Sequence, residues 1–190
     1  MKNTITLISL ILLLTLEGCS NVITATTADP IKERNDSRSM GAYIDDESLE
    51  TKALVNIKKS DQGFTSSHII VVSYYGTVLL AGQVTDEKLR AKAADVVKKL
   101  QKVKRIYNEL AVSGNTSAIV RSGDAWVTAK VKTALITSPE IESLRVKVIT
   151  ENSIVYLMGL ATKAEAERIV DVSSSIYGVQ KVIRLFEYID

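Results

Sequence analysis

Val78-Leu79-Leu80-Ala81-Gly82-Gln83-Val84-Thr85 and Val155-Tyr156-Leu157-Met158-Gly159-Leu160-Ala161-Thr162 are two copies of one pattern. Their apolar positions, Gly and Thr align without gaps. Repetition at this spacing marks a duplicated structural unit. Upstream, Leu49-Glu50-Thr51-Lys52-Ala53 corresponds to Val127-Thr128-Ala129-Lys130-Val131. Downstream, Val103, Ile106 and Leu110 correspond to Val179, Val182 and Phe186. Each unit has roughly 65–70 residues, near the lower limit for an independent core.

The periodicity inside a unit predicts helix–strand–strand–helix–strand. Residues 46–59 form a helix with Leu49, Ala53, Asn56 and Ile57 on one side. Ile70, Val72 and Tyr74 alternate as in a strand, and Val78, Leu80 and Val84 continue after a turn near Gly76. Thr85-Asp86 caps a helix bearing Leu89, Ala93, Val96, Val97 and Leu100 at helical spacing. Residues 103–112 close the unit as a strand. The second unit repeats the order: helix 124–137, strands 144–150 and 153–160, helix 163–177 and strand 180–188.

The chain before the repeats reads as an address. Lys2 precedes a largely apolar run from Ile5 to Leu16. That run is too short to span a hydrocarbon core of about 30 Å as a helix and suits a secretory signal. Leu16-Glu17-Gly18-Cys19 follows and resembles a bacterial lipobox, with Glu17 a departure from the usual uncharged residue. On this reading 1–18 is a lipoprotein signal peptide and Cys19 is acylated. Each buried CH₂ adds about 0.8 kcal/mol, so several acyl chains hold a protein on a membrane. Residues 19–44 then serve as tether, 45–112 and 124–190 as the two units, and 113–123 as linker.

Composition narrows the chemistry. The 190 residues contain one Cys and one His, and the net charge is +2. One Cys permits no internal disulfide, and so few nitrogen and sulfur donors argue against a zinc site. Near-neutrality argues against nucleic acid as a partner. His68 has no thiol beside it in the sequence to serve as nucleophile, and it reads as a surface or half-buried His. Asp45-Asp46 and Asp86-Glu87 fall at expected helix starts, where they complement the helix dipole. The glycines are scattered, with no phosphate-cradling loop. The expectation is a non-enzymatic protein with no cofactor and no metal. Lys98-Lys99, Lys102 and Lys104-Arg105 form the densest basic cluster and read as a solvated helix end.

The first helix of the second unit carries the most informative surface. At 100° per residue, Val127, Val131, Ala134 and Leu135 share the side toward the sheet. Trp126, Ala129, Thr133 and Ile136 fall on the other side, flanked by Lys130 and Lys132. The only Trp of the protein is thus expected off the core beside an exposed Ile and two cations. Such a face suits a membrane interface, where an indole is half apolar and half wet. The matching face of the first unit has Ser48, Thr51, Val55 and Lys58, without an aromatic.

Two αββαβ units, each with a Val-x-Leu-x-Gly strand, resemble tandem BON domains. The lipobox, Asp36-Ser37-Arg38-Ser39-Met40-Gly41 and Asp45-Asp46 extend the resemblance to dual-BON outer-membrane lipoproteins of Gram-negative bacteria. It covers essentially the whole chain. The resemblance implies an α+β fold, each unit having two helices on a three-stranded mixed sheet. It also implies an outer-membrane, periplasm-facing location, phospholipid binding, support of envelope integrity and recruitment to the division site. On that reading the partner is anionic phospholipid, phosphatidylglycerol or cardiolipin, met by Trp126, Ala129, Lys130, Lys132, Thr133 and Ile136. The competing reading is a periplasmic adaptor for envelope proteins, such as outer-membrane assembly or peptidoglycan-remodelling machinery. Gly178-Val179 fits the pattern before the last strand. Lys102-Val103 and Ser153 depart from it, which predicts local backbone adjustments there.

Overall fold

The computed structural model describes residues 38–189. The signal peptide, Cys19 and nearly all of the expected tether lie outside the described residues. Two αββαβ units follow one another, as the periodicity predicts. In the first, α1 (Met40–Ser60) leads through a short 3₁₀ turn to β1 (His68–Tyr74), β2 (Thr77–Val84), α2 (Glu87–Lys98) and β3 (Arg105–Val112). In the second, α3 (Ala118–Ile136) leads through another 3₁₀ turn to β4 (Val146–Glu151), β5 (Ile154–Ala161), α4 (Lys163–Ser174) and β6 (Lys181–Tyr188).

Both first helices begin earlier than the sequence reading places them. Ser39 caps α1, its hydroxyl accepting from the Ala42 N–H. Ser117 caps α3 in the same way, through the Val120 N–H. Residues 118–123 are therefore helix and not linker. Gly123 inside a helix costs about 1 kcal/mol, too little to stop it against a capped start. Asn56 is exposed, while Leu49, Ala53 and Ile57 are buried as expected.

Each sheet has three strands with the middle one central. β2 pairs antiparallel with β1 and parallel with β3, and β5 does the same with β4 and β6. The repeated Gly serves the close approach of neighbouring strands. Gly82 and Gly159 have φ of 112° and 151°, and a Cβ there would meet the carbonyl oxygens of His68 and Arg145 at 2.1 and 2.0 Å. Only glycine fits.

A buried Asp on each first helix holds the hairpin turn beside it. Asp46 accepts from the backbone N–H of Tyr75 and Gly76 and from Ser73 Oγ, at 2.8, 3.0 and 2.6 Å. Asp124 accepts from the N–H of Asn152 and Ser153, both at 2.8 Å. The earlier start of α1 thus removes Asp46 from the helix terminus: it is a clamp and not a dipole partner. Burial pushes its carboxyl up, but the hydrogen bonds from Ser73, Gly76 and Tyr75 and the Arg38 charge outweigh this. The net result is a lowered pKa. Asp86, in contrast, does cap α2 through the Leu89 N–H.

The departures at Ser153 and Lys102 do not change the backbone path. Ser153 and Lys102 adopt left-handed φ of 63° and 70°, where the other copy has Gly76 at 78° and Gly178 at 103°. The same turn is made with a residue that strains it.

Three apolar cores follow from this arrangement. Helices α1 and α2 cover one face of the first sheet around Leu49, Ile57, Val71, Leu80 and Val97. Helices α3 and α4 cover one face of the second around Val131, Leu135, Leu157 and Ile169. The remaining faces of the two sheets meet each other through Val72, Tyr74, Leu79 and Ala81 against Tyr156, Met158, Leu160 and Leu185. The result is four layers, helices–sheet–sheet–helices. The row Ile70, Val72 and Tyr74, read in the sequence as one strand face, packs on the second unit and not under the helices. Polar groups edge this interface. Gln83 Nε2 donates to Glu151 Oε1 at 2.7 Å, and Lys147 Nζ to Glu50 Oε1 at 2.7 Å. Burial, with the nearby Glu109 and Glu151, pushes the Tyr156 phenol up to about 12.

Candidate functional site

The second unit presents its first helix as a two-faced rod. Val127, Val131 and Leu135 are buried on the sheet and Ala134 is half-buried. On the opposite side Trp126 is 67% exposed and Ile136 68%. Ala129, Lys132 and Thr133 are exposed as well. The structure therefore brings the six residues singled out in the sequence onto or beside one helix face, with one modification. Lys130 is half-buried: its ammonium donates to the Tyr177 carbonyl and lies 5.5 Å from the Tyr177 ring. It is tied to the protein, although an ammonium has three donors and the remaining ones can meet an anion.

Two members of the surface escape the sequence reading. Ile119 lies seven residues before Trp126 on the same helix, which places it about 20° away around the axis. It is 84% exposed. Its place on this face was readable from spacing, once Ser117 is recognised as the cap. Tyr177 follows α4 and is 92% exposed. Only the tertiary fold brings it to Lys130. Ile119, Trp126 and Ile136 mark the exposed sector of the helix opposite the core, about 100° wide, with Ser122, Ala129 and Thr133 inside it. Small residues between large ones leave the sector shallow and open.

Several of the other polar features sit near a charged or aromatic group. His68 is half-buried, with Nε2 3.4 Å from Glu151 Oε2. Asp45 pairs with Lys102 at 2.7 Å. Lys104 lies over the Tyr75 ring at 5.6 Å. The basic cluster at 98–105 is largely exposed. Among the described residues there is no group of three or more His, Cys, Asp or Glu side chains placed to hold a metal ion. Among them, too, no helix is long and apolar enough to cross a membrane.

Comparison with known proteins agrees with the repeat. The BON domain model matches residues 45–114 and again 123–190. The chain belongs to the BON-domain family. Outer membrane lipoprotein DolP of Haemophilus influenzae is 37% identical over 92% of this chain and 91% of its own length. The 21 kDa hemolysin of Actinobacillus pleuropneumoniae is 35% identical over 81% of this chain and 79% of its own. Osmotically-inducible protein Y of Escherichia coli is 25% identical over 83% of this chain and 80% of its own. Two BON units and the near full-length match place the chain with DolP-like outer-membrane lipoproteins. Both first helices leave large apolar side chains exposed, Met40, Ile44 and Val55 on α1 and Ile119, Trp126 and Ile136 on α3, and the two differ in that the Trp belongs to the second.

Proposed function

We propose that this protein is a non-enzymatic lipoprotein, anchored by acylated Cys19, whose second BON unit binds anionic phospholipid and thereby supports envelope integrity. The observation that carries the reading is the exposed sector of α3 that holds Ile119, Trp126 and Ile136, with Lys132 and Tyr177 nearby. Trp and Tyr rings settle at the headgroup level of a bilayer, and Lys reaches phosphates with its stem in apolar surroundings. One helix face buries little area, so binding by this surface alone is weak. A lipid anchor supplies the effective concentration that makes it sufficient. The match to an outer-membrane lipoprotein supports an outer-membrane, periplasm-facing location. Enrichment at the division site is part of the same proposal.

An exposed Trp beside a Tyr also has the make-up of a protein hot spot, which sustains the adaptor reading. A photo-crosslinking residue at position 126, in cells, separates the two. Mostly phospholipid adducts support the proposal; mostly protein adducts replace it with the adaptor.

A further inference from the structure

The junction of the two BON units holds a groove of about 480 Å³, within the size range of small-molecule sites. Arg38, Met40, Tyr43 and Tyr74 line it from the first unit, and Lys132 and Leu144 from the second. Its chemistry is mixed in a definite way. Met40 and Leu144 are large apolar side chains left exposed, and Lys132 is exposed beside them. The Arg38 guanidinium sits 4.7 Å from the Tyr43 ring centre and 5.1 Å from that of Tyr74. Two buried donors of these lining residues, Arg38 Nε and Tyr74 Oη, have no hydrogen-bond partner among the described residues. Buried donors are nearly always paired, so two orphans at one groove call for an acceptor. Burial pushes the Tyr74 phenol up, so its hydroxyl remains a donor. The nearby carboxylates are already engaged. Asp46 is held by Arg38 at 2.7 Å, and Glu50 by Lys147, another lining residue, at 2.7 Å.

An acceptor-rich anion carrying an apolar chain satisfies both halves of this inventory. We propose that the groove seats the phosphate of an anionic glycerophospholipid against Arg38, Tyr74 and Lys132, with its acyl chains leaving over Met40 and Leu144. The inference rests on the lipid reading above and extends it from one helix to a surface built by both units. Lys132 stands on α3, so the groove adjoins the Trp126 face. The first unit thereby gains a direct role, and Arg38 joins it to the segment that leads back to Cys19.

The test uses the full acylated chain in phosphatidylcholine nanodiscs doped with phosphatidylglycerol bearing a diazirine on an acyl chain. Adducts are mapped by mass spectrometry. The proposal expects adducts at Met40, Tyr43 or Leu144 in addition to the α3 face. It expects Tyr74→Phe to lower the groove adducts at least threefold while adducts around Trp126 persist. Trp126→Glu should do the reverse. Adducts on the α3 face alone overturn the groove and leave the lipid reading standing. Adducts on neither surface overturn both. Equal groove labelling by a phosphatidylcholine probe overturns the assignment to an anionic lipid.

Discussion

At Gly159 an added Cβ would stand 2.0 Å from a carbonyl oxygen, and no rotamer relieves a clash set by backbone position. Gly159→Ala is expected to cost about 2–4 kcal/mol in a denaturant melt. Gly123→Ala is the contrast: nothing lies within 4 Å of its Cβ. There the gain of helix propensity should stabilise by up to about 1 kcal/mol. Ser153→Gly should also stabilise, by about 0.5–1 kcal/mol, by removing a left-handed φ from a side-chain-bearing residue. Asp46 gives a pH dependence of known sign. Its folded pKa lies below the ordinary 3.8. Its contribution is therefore fully present above about pH 4 and lost as pH falls through the lower folded value. Asp46→Asn should flatten the acid limb of a stability–pH profile below about pH 4 and cost about 1–3 kcal/mol at pH 7. An unchanged acid limb would show that the clamp does not carry this dependence.

Among the elements, α3 carries both stability and the proposed function, on opposite faces. Val131 is fully buried, and Val131→Ala should cost about 1–3 kcal/mol in thermal unfolding. Trp126→Glu should change stability by no more than about 0.5 kcal/mol, as exposed sites do. A large loss of stability in the Trp126 variant would mean that the ring packs on the protein and is not held free. The division into faces was legible because a 3.6-residue period needs no tertiary information. The helix start was less legible, because Gly114 and Gly123 bracket Ser117 and look like punctuation. At α1 the cap is Ser39, well before Asp46, and a start expected at residue 46 makes the buried clamp look like a dipole partner. Tyr177 carries no local signal, since its meeting with Lys130 depends on how α4 ends relative to α3.

Among the described residues the two BON units are joined by the contact between their sheets, beside the helices that cover each sheet's other face. β2 and β5 are buried on both faces, and their runs Val78–Ala81 and Val155–Met158 are apolar without alternation. Such runs signal a strand covered on both sides, but they do not say by what. The second cover proved to be the other BON unit. Met158 is fully buried at that contact. Met158→Lys should destabilise both units together by about 3–5 kcal/mol, since it leaves an unpaired buried charge. Trp126 fluorescence, which reports the second unit, should then shift its midpoint in step with amide exchange in β1–β3. Separate midpoints would mean that the units fold independently. How this assembly meets a membrane is read most directly from binding of the wild-type chain and Trp126→Glu to vesicles of phosphatidylcholine with and without phosphatidylglycerol, followed as salt is raised. Wild type should prefer the anionic vesicles, this preference should shrink with salt, and Trp126→Glu should bind at least fivefold more weakly. Equal binding by the two proteins, or no preference for the anionic vesicles, would contradict the proposed lipid binding.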